Sequence, residues 1–356
     1  MAKKHPRSTE IRQFILREVA EGTEDIPAIT AEKFDLKLPA VNFHLRQLRA
    51  ENVLEASGNT SGRTYSLKTL NEWRKTYQSG PPVAEDVAWN ETRPNLGTLP
   101  ENVLSIWNGG FTEMFNNAIE HSEGTRIIVH VRTTAINSEV MILDDGIGIF
   151  RKIQRALNLA DPQHAILELS KGKFTTDPEH HSGEGIFFTS RMFDSFSILS
   201  GGLFFSHKIR GNWDWLLQQE TQNSGTGVWM QIANDSTRTP KEVYEQFAGP
   251  DNNYNFEKTI VPVRLAQYKD LLVSRSQAKR VLAGLEKFKI VSFNFEGVES
   301  VGQAFADEIF RVFAAALPGI EVNYTHANAY VRGMIHRAQQ SAADTNTSAN
   351  LLANGT

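Results

Sequence analysis

Cysteine is absent from all 356 residues. That excludes disulfides, thiolate nucleophiles and cysteine-ligated zinc. It fits a cytoplasmic protein, although a cysteine-free chain is compatible with any compartment. Long apolar runs are also missing. No stretch approaches the roughly 18 uninterrupted apolar residues of a membrane span, and the basic start MAKKHPRSTEIRQF lacks the apolar run of a signal peptide. Neither sign of charge dominates: 37 Lys/Arg face 41 Asp/Glu, a net charge of −4, which argues against a protein wholly coated by nucleic acid. With 40% hydrophobic and 22% charged residues, general disorder is excluded, and the length allows two or three domains.

The charge is unevenly spread. Residues 1–78 hold 13 Lys/Arg against 10 Asp/Glu, and the remainder 24 against 31, so a mildly basic N-terminus sits on an acidic body and hints at a local polyanion contact. Composition divides the chain into an N-terminal block at 1–78, a linker rich in Pro at 79–100, a central block at 101–240, a C-terminal block at 256–340, and a small polar tail at 341–356 expected to be disordered. The expected class is α/β multidomain.

In the N-terminal block, Ile11, Phe14, Ile15 and Val19 follow helical spacing, a short second helix spans 27–34, and PAVNFHLRQLRAEN sets Val41, Leu45 and Leu48 inward. Two short strands follow around Gly58–Gly62. The order of helices, with VNFHLRQLRAENVLEASG and then GRTYSL, resembles the winged helix-turn-helix of bacterial transcription regulators over about 60 residues. The resemblance implies a recognition helix at 39–51 whose Asn42, His44, Arg46 and Arg49 meet DNA, with Arg63 on the wing. The alternative is a winged protein-interaction module with solvent-facing arginines.

In the central block, FTEMFNNAIEHS places Glu113, Asn117 and His121 at i, i+4 and i+8 on one helical face. An Asn among apolar neighbours needs a partner, such as a divalent cation or a phosphate oxygen. The strand VMILDDGIGIF then carries Asp144, Gly146 and Gly148, SGEGIFF carries Gly183 and Gly185 into a helix, and NSGTGVWMQI carries Thr226 into a strand. A carboxylate at a strand end can accept the exocyclic amine of adenine, and amides at a helix start can hold phosphate.

Each motif alone is a common turn; four in this order resemble the GHKL superfamily of ATP-binding domains, and EMFNNAIEHS, DDGIGI and SGEGIFF look closest to its anti-sigma-factor kinase branch. The resemblance implies a GHKL α/β sandwich binding ATP and Mg²⁺. Asn117 would hold the metal and Glu113 would be the general base. Asp144 would bind adenine with support from Thr226, while Gly146 and Gly148 shape the pocket. Gly183 and Gly185 would cradle phosphate, residues 151–182 would form a lid, and Lys171 and Lys173 would neutralise phosphate or simply face solvent. His121 is expected in a structural hydrogen bond, and His180 and His181 as polar lid residues. One departure stands out: Ile186, Phe187 and Phe188 follow Gly185 where the superfamily commonly has Leu-Gly-Leu, which puts turnover in doubt.

The C-terminal block reads strand, helix, strand, helix, strand, helix, a right-handed βαβ pattern. The helix is expected from the start of YKDLLVSRSQAKRVLAGLEKF with Leu271 and Leu272 inward. LVSRSQAKRVLAGLEKF and FEGVESVGQAFADEIFRVF resemble a STAS-like domain of unknown function often fused to GHKL ATPases. The STAS phosphoacceptor serine would fall at Gly302, Gln303 or Ala304, with Ser300 the nearest hydroxyl. Asp307, Glu308 and Arg311 are expected as helix-surface charges or interaction residues, and Arg275 and Ser276 as a site or contact without a named ligand. The expected function is a cytoplasmic DNA-binding regulator switched by Mg-ATP, acting as a homodimer with a protein partner at the STAS-like domain and no membrane. The alternatives are an anti-sigma-type Ser/Thr kinase and an ATPase-switched interaction module in defence or repair.

Overall fold

The computed structural model describes residues 6–58, 63–78, 84–173, 183–208, 213–218, 224–250, 255–267 and 271–353. Helices α1 (Pro6–Ala20), α2 (Ile26–Phe34) and α3 (Leu38–Ala50) precede an antiparallel ribbon of β1 (Leu54–Ser57) and β2 (Thr64–Leu67). The i, i+4, i+8 positions Ile11, Ile15 and Val19 of α1 meet Val41, Leu45 and Leu48 of α3 in a core of their own. Asp25 caps α2 by accepting the Ala28 N–H. Buried Arg12 is satisfied by Glu51 and by Gln47 at 3.3 Å.

The next strand corrects the expected boundary of the N-terminal block. Residues of β3 (Asn71–Gln78) pair antiparallel with β4 (Arg126–Thr133), as the edge of a seven-stranded sheet in the order β3-β4-β5-β9-β6-β7-β8. The other members are β5 (Asn137–Asp144), β6 (Ser195–Ser200), β7 (Leu203–Lys208), β8 (Trp213–Gln218) and β9 (Thr226–Ala233), and every pairing is antiparallel. Polar NEWRKTYQ hides its strand character because only Trp73, Lys75 and Tyr77 turn inward, and Tyr77 alone is buried, edge-on to Phe115 at 5.3 Å.

The expected linker is also corrected. Residues 85–96 form α4 (Glu85–Thr92) and a 3₁₀ turn (Arg93–Leu96), with Ala88, Trp89 and Leu96 buried in the core. Residues 79–83 lie outside the described residues. Its later prolines start helices rather than breaking chain: Pro94 sits in the first turn of the 3₁₀ segment and Pro100 is the N-cap of α5 (Glu101–His121). α5 packs on the sheet through Trp107, Phe111, Met114 and Phe115, and the buried Trp107 indole donates to Ser138 Oγ at 2.9 Å. Between β5 and β6 lie α6 (Ile149–Ala156), α7 (Gln163–Lys171) and α8 (Gly185–Met192).

After α9 (Pro240–Phe247), closed by a Thr239–Glu242 capping box, comes a parallel sheet in the order β10-β11-β12. It contains β10 (Lys258–Pro262), β11 (Ile290–Asn294) and β12 (Glu321–Thr325). α10 (Arg275–Leu282) crosses from β10 to β11. α11 (Gln303–Asp307) continues through a π turn (Glu308–Phe313) into α12 (Ala314–Ala316), and α13 (Ala329–Ala353) follows β12. Two expectations change here. α10 begins only at Arg275 because Ser274 and Gln277 form a capping box, so Leu271 is exposed while Leu272 is buried in a bridge to Val301. The tail expected to be disordered continues α13 to Ala353, since no Gly or Pro interrupts it after Gly333 until Gly355. The molecule is a mixed α/β, multidomain protein.

Candidate functional site

A cleft opens between α5, the sheet and α8. It is walled by Glu113, Asn117, His121, Asp144, Gly183, Gly185 and Thr226, with apolar Met114, Ala118, Ile142, Ile149, Ile153, Leu169, Ile186, Phe187, Ile198 and Val228 between them. The space open to the centre of a water-sized sphere is about 150 Å³, and it is continuous with solvent at the mouth. The wall follows from local periodicity. Glu113, Asn117 and His121 share one face of the 21-residue α5. Ile142 precedes Asp144 by two on β5, and Val228 follows Thr226 by two on β9, so each pair shares a strand face.

Asp144 ends β5 with an asymmetric hydrogen-bond set. Its Oδ1 accepts the N–H of Gly146 at 2.9 Å and the N–H of Thr226 at 3.2 Å, while Oδ2 takes part in neither bond. Burial pushes its carboxyl above the usual range, an effect opposed by those two amides and reinforced by the charge of Asp145. The adjacent Asp145 has a structural task. Burial alone would raise it, but the Arg126 and Thr125 amides at 2.9 and 2.7 Å, the Thr125 hydroxyl and the Arg126 guanidinium bring it below the ordinary carboxylate value. Thr226 accepts the Ile149 N–H at 3.0 Å and thereby joins β9 to the start of α6. The turn between β5 and α6 is tight: a Cβ on Gly146 would stand 2.0 Å from the Ser122 carbonyl oxygen.

At the other end, Asn117 Nδ2 donates to Glu113 Oε1 at 3.3 Å, leaving the Asn117 carbonyl for another partner. Glu113 lies directly over the backbone of Gly185 at the start of α8. Glu184, beside it, is raised by burial, which Lys173 opposes, and Tyr244 on α9 is raised by burial and then by the charges of Glu113 and Glu184. Sequence reasoning missed Tyr244 and also Lys152, whose ammonium ties α6 to the His121 carbonyl at 2.9 Å.

Lys171 and Lys173 do not line this cleft. Lys171 is 2% exposed, pairs with Glu168 at 2.7 Å and donates to the carbonyls of Arg280 and Ala283 at 3.2 and 2.9 Å. Lys173 donates to the Lys287 carbonyl at 3.1 Å and lies over the rings of Phe256 and Phe288. Both therefore contact the C-terminal block, Lys171 buried there and Lys173 only partly covered, and neither is among the residues that wall the cleft. The expected lid is helical over α6 and α7, while His180 and His181 lie outside the described residues.

On α3, Asn42, Arg46 and Arg49 are exposed, as is Arg63 before β2. Exposed Phe43 joins this face without having been foreseen. His44 belongs elsewhere: its Nδ1 is buried without a hydrogen-bond partner, and burial followed by the Arg12 charge lowers its pKa, so it is a neutral packing residue at physiological pH. Arg275 pairs with Asp307 at 3.6 Å and Asp307 pairs with Arg311, but Glu308, expected as a helix-surface charge, is buried at 7% exposure with Arg275 and Lys279 each 3.9 Å away, and Ser276 is hydrogen-bonded to the cap residue Ser274 at 3.0 Å.

Residues 277–332 match the model of a STAS-like domain of unknown function (DUF4325). The C-terminal block, from α10 into α13, thus carries a STAS-like domain. No curated protein matches the chain. Among the described residues, no helix is long and apolar enough to cross a membrane.

Proposed function

We propose that the chain is an ATP-responsive DNA-binding regulator, with a GHKL-type nucleotide cleft, a winged-helix reader and a STAS-like domain. The observation that carries the reading is Asp144: a carboxylate at a strand end, braced through one oxygen by two backbone amides, with the other oxygen left for a ligand donor. An adenine amine fits that acceptor. The amides at the start of α8 fit phosphate. The carbonyl of Asn117 would hold a magnesium ion, which would neutralise phosphate charge. Glu113 is placed to accept a proton from a water or hydroxyl at the phosphate end.

Coupling to the reader has a structural basis. β5 and β9 run from Asp144 and Thr226 to the opposite ends of the strands, about 23 Å for eight residues. There Ile136 packs into the N-terminal core and Asp235 pairs with Arg17 of α1 at 3.1 Å. Nucleotide alters DNA affinity only insofar as it binds the two arrangements of the chain differently. The test is DNA binding at fixed salt, with and without Mg-ATP, for wild type and Asn117→Ala. A nucleotide effect in the wild type that the variant loses is expected; equal affinities throughout would sink the coupling.

The reader surface is tested separately. Arg46→Ala and Arg49→Ala should each weaken DNA binding and lower the slope of log K against log salt by about 0.9 if each arginine neutralises one phosphate. An unchanged slope in both variants rules out phosphate contact by α3. The kinase alternative has less support here, because the N-cap of α11 is Gly302, which offers no hydroxyl to phosphorylate.

A further inference from the structure

The STAS-like domain does not hang free of the cleft. It holds the two helices that build the phosphate end of the cleft wall. α7 contributes Leu169 to the cleft and ends in Lys171, whose buried ammonium enters the C-terminal turn of α10 through the Arg280 and Ala283 carbonyls. The Lys171 carbonyl in turn accepts the hydroxyl of buried Thr259 on β10 at 2.7 Å. α8 contributes Gly185, Ile186 and Phe187. Phe187 is shared: one side lines the cleft, and its ring lies 4.4 Å from Phe256, just before β10, with Phe188 4.9 Å from the same ring. The cores of the two blocks form one continuous apolar cluster at this seam.

A buried ammonium costs free energy unless its donors are satisfied. Here one carboxylate and two carbonyls satisfy it, and both carbonyls belong to the α10 end. A shift of α10 relative to α7 would strand this charge, so the seam favours discrete arrangements over gradual sliding. We propose that the STAS-like domain is the regulatory arm of the cleft, linked to it through Lys171 and the Phe187–Phe256 contact. A ligand in the cleft and a partner on the STAS-like domain then change each other's affinity by the same factor. This deepens the nucleotide reading, but the mechanical link is separable from it.

The experiment is hydrogen exchange on the full chain, wild type against Lys171→Met and Thr259→Val, with and without Mg-ATP. Lys171→Met keeps an unbranched side chain, one heavy atom shorter, and removes the charge. Thr259→Val is the milder variant, near-isosteric, and removes only the hydroxyl donated to Lys171. In the absence of nucleotide, amides of α7 and α8 should exchange about tenfold faster in both variants, while those of β4 and β5 keep wild-type rates. In the wild type, Mg-ATP should slow exchange across 275–287 as well as in the cleft. Wild-type rates in α7 and α8 of a folded Thr259→Val protein would overturn the linkage, as would nucleotide protection confined to β5, β9 and α5. If Mg-ATP protects no segment at all, the nucleotide reading fails, and the nucleotide-free comparison still decides the mechanical link.

Discussion

Asp144→Asn is expected to abolish the thermal stabilisation conferred by Mg-ATP while leaving the unliganded protein folded. An Asn carbonyl can still accept the Gly146 and Thr226 amides that now bond Oδ1. The amide nitrogen then replaces Oδ2 and meets an incoming amine donor-to-donor. Leaving such a buried donor unpaired costs about 1–3 kcal/mol, and losing a hydrogen bond to a charged acceptor costs a similar amount. Together these weaken binding on the order of 100-fold or more. At ligand concentrations near 100 times the wild-type Kd, the roughly 2.7 kcal/mol of linked stabilisation should fall to a few tenths. Measurement is by thermal unfolding with and without Mg-ATP, and an undiminished shift in the variant would show that the amine is recognised elsewhere.

The same carboxyl sets a pH dependence. Its folded pKa is raised by burial, so the unliganded folded state binds a proton more tightly than the unfolded chain. Asp144 therefore costs the unliganded protein stability as pH rises from the ordinary carboxylate value through its raised one. Ligand binding needs the opposite state, an ionised acceptor. ATP affinity should fall as pH drops through the raised value, at a higher pH than an ordinary aspartate would give. Asp144→Asn should flatten that profile.

What the sequence made legible was periodic. Glu113, Asn117 and His121 line one cleft because helical spacing brings them to one face, and Asp144 and Thr226 stand at strand ends facing the same space. The turn-forming glycines were readable for the same local reason. Tertiary relations were not readable. Nothing in KGKF indicates that Lys171 leaves the cleft to bond carbonyls more than 100 residues later. Nothing local in NEWRKTYQ chooses the large sheet over the N-terminal ribbon, since its alternation fits either. Pro94 and Pro100 misled because proline opens a helix as readily as it ends one. The STAS-like block was recognisable by pattern, yet the start of α10 was set by a cap at Ser274 that outweighed the apolar Leu271–Val273 run.

Two glycine substitutions should separate folding from function. Gly225→Ala is expected to unfold the central sheet readily. Gly225 has φ of 91°, and an added Cβ would lie 2.0 Å from the Asp144 carbonyl oxygen, a backbone atom that cannot move without parting β9 from β5. Positive φ costs an alanine about 1–2 kcal/mol before the clash is counted, so a total on the order of 4 kcal/mol and a drop in Tm of roughly 10 °C follow. Gly185→Ala meets a different obstacle: its Cβ would lie 1.7 Å from Glu113 Oε1 and 2.0 Å from its Cδ, atoms at the end of a flexible side chain. That carboxylate swings aside, so Tm should fall by only a few degrees. The displaced Glu113 then crowds or leaves the phosphate end, and any ATP turnover should fall about 100-fold, as a misplacement of about 1 Å can cause. A double-mutant cycle isolates the contact: in a Glu113→Ala background the clash is gone, and Gly185→Ala should cost little further nucleotide affinity. An equal loss of affinity in both backgrounds would assign the effect to the α8 amides themselves and not to Glu113.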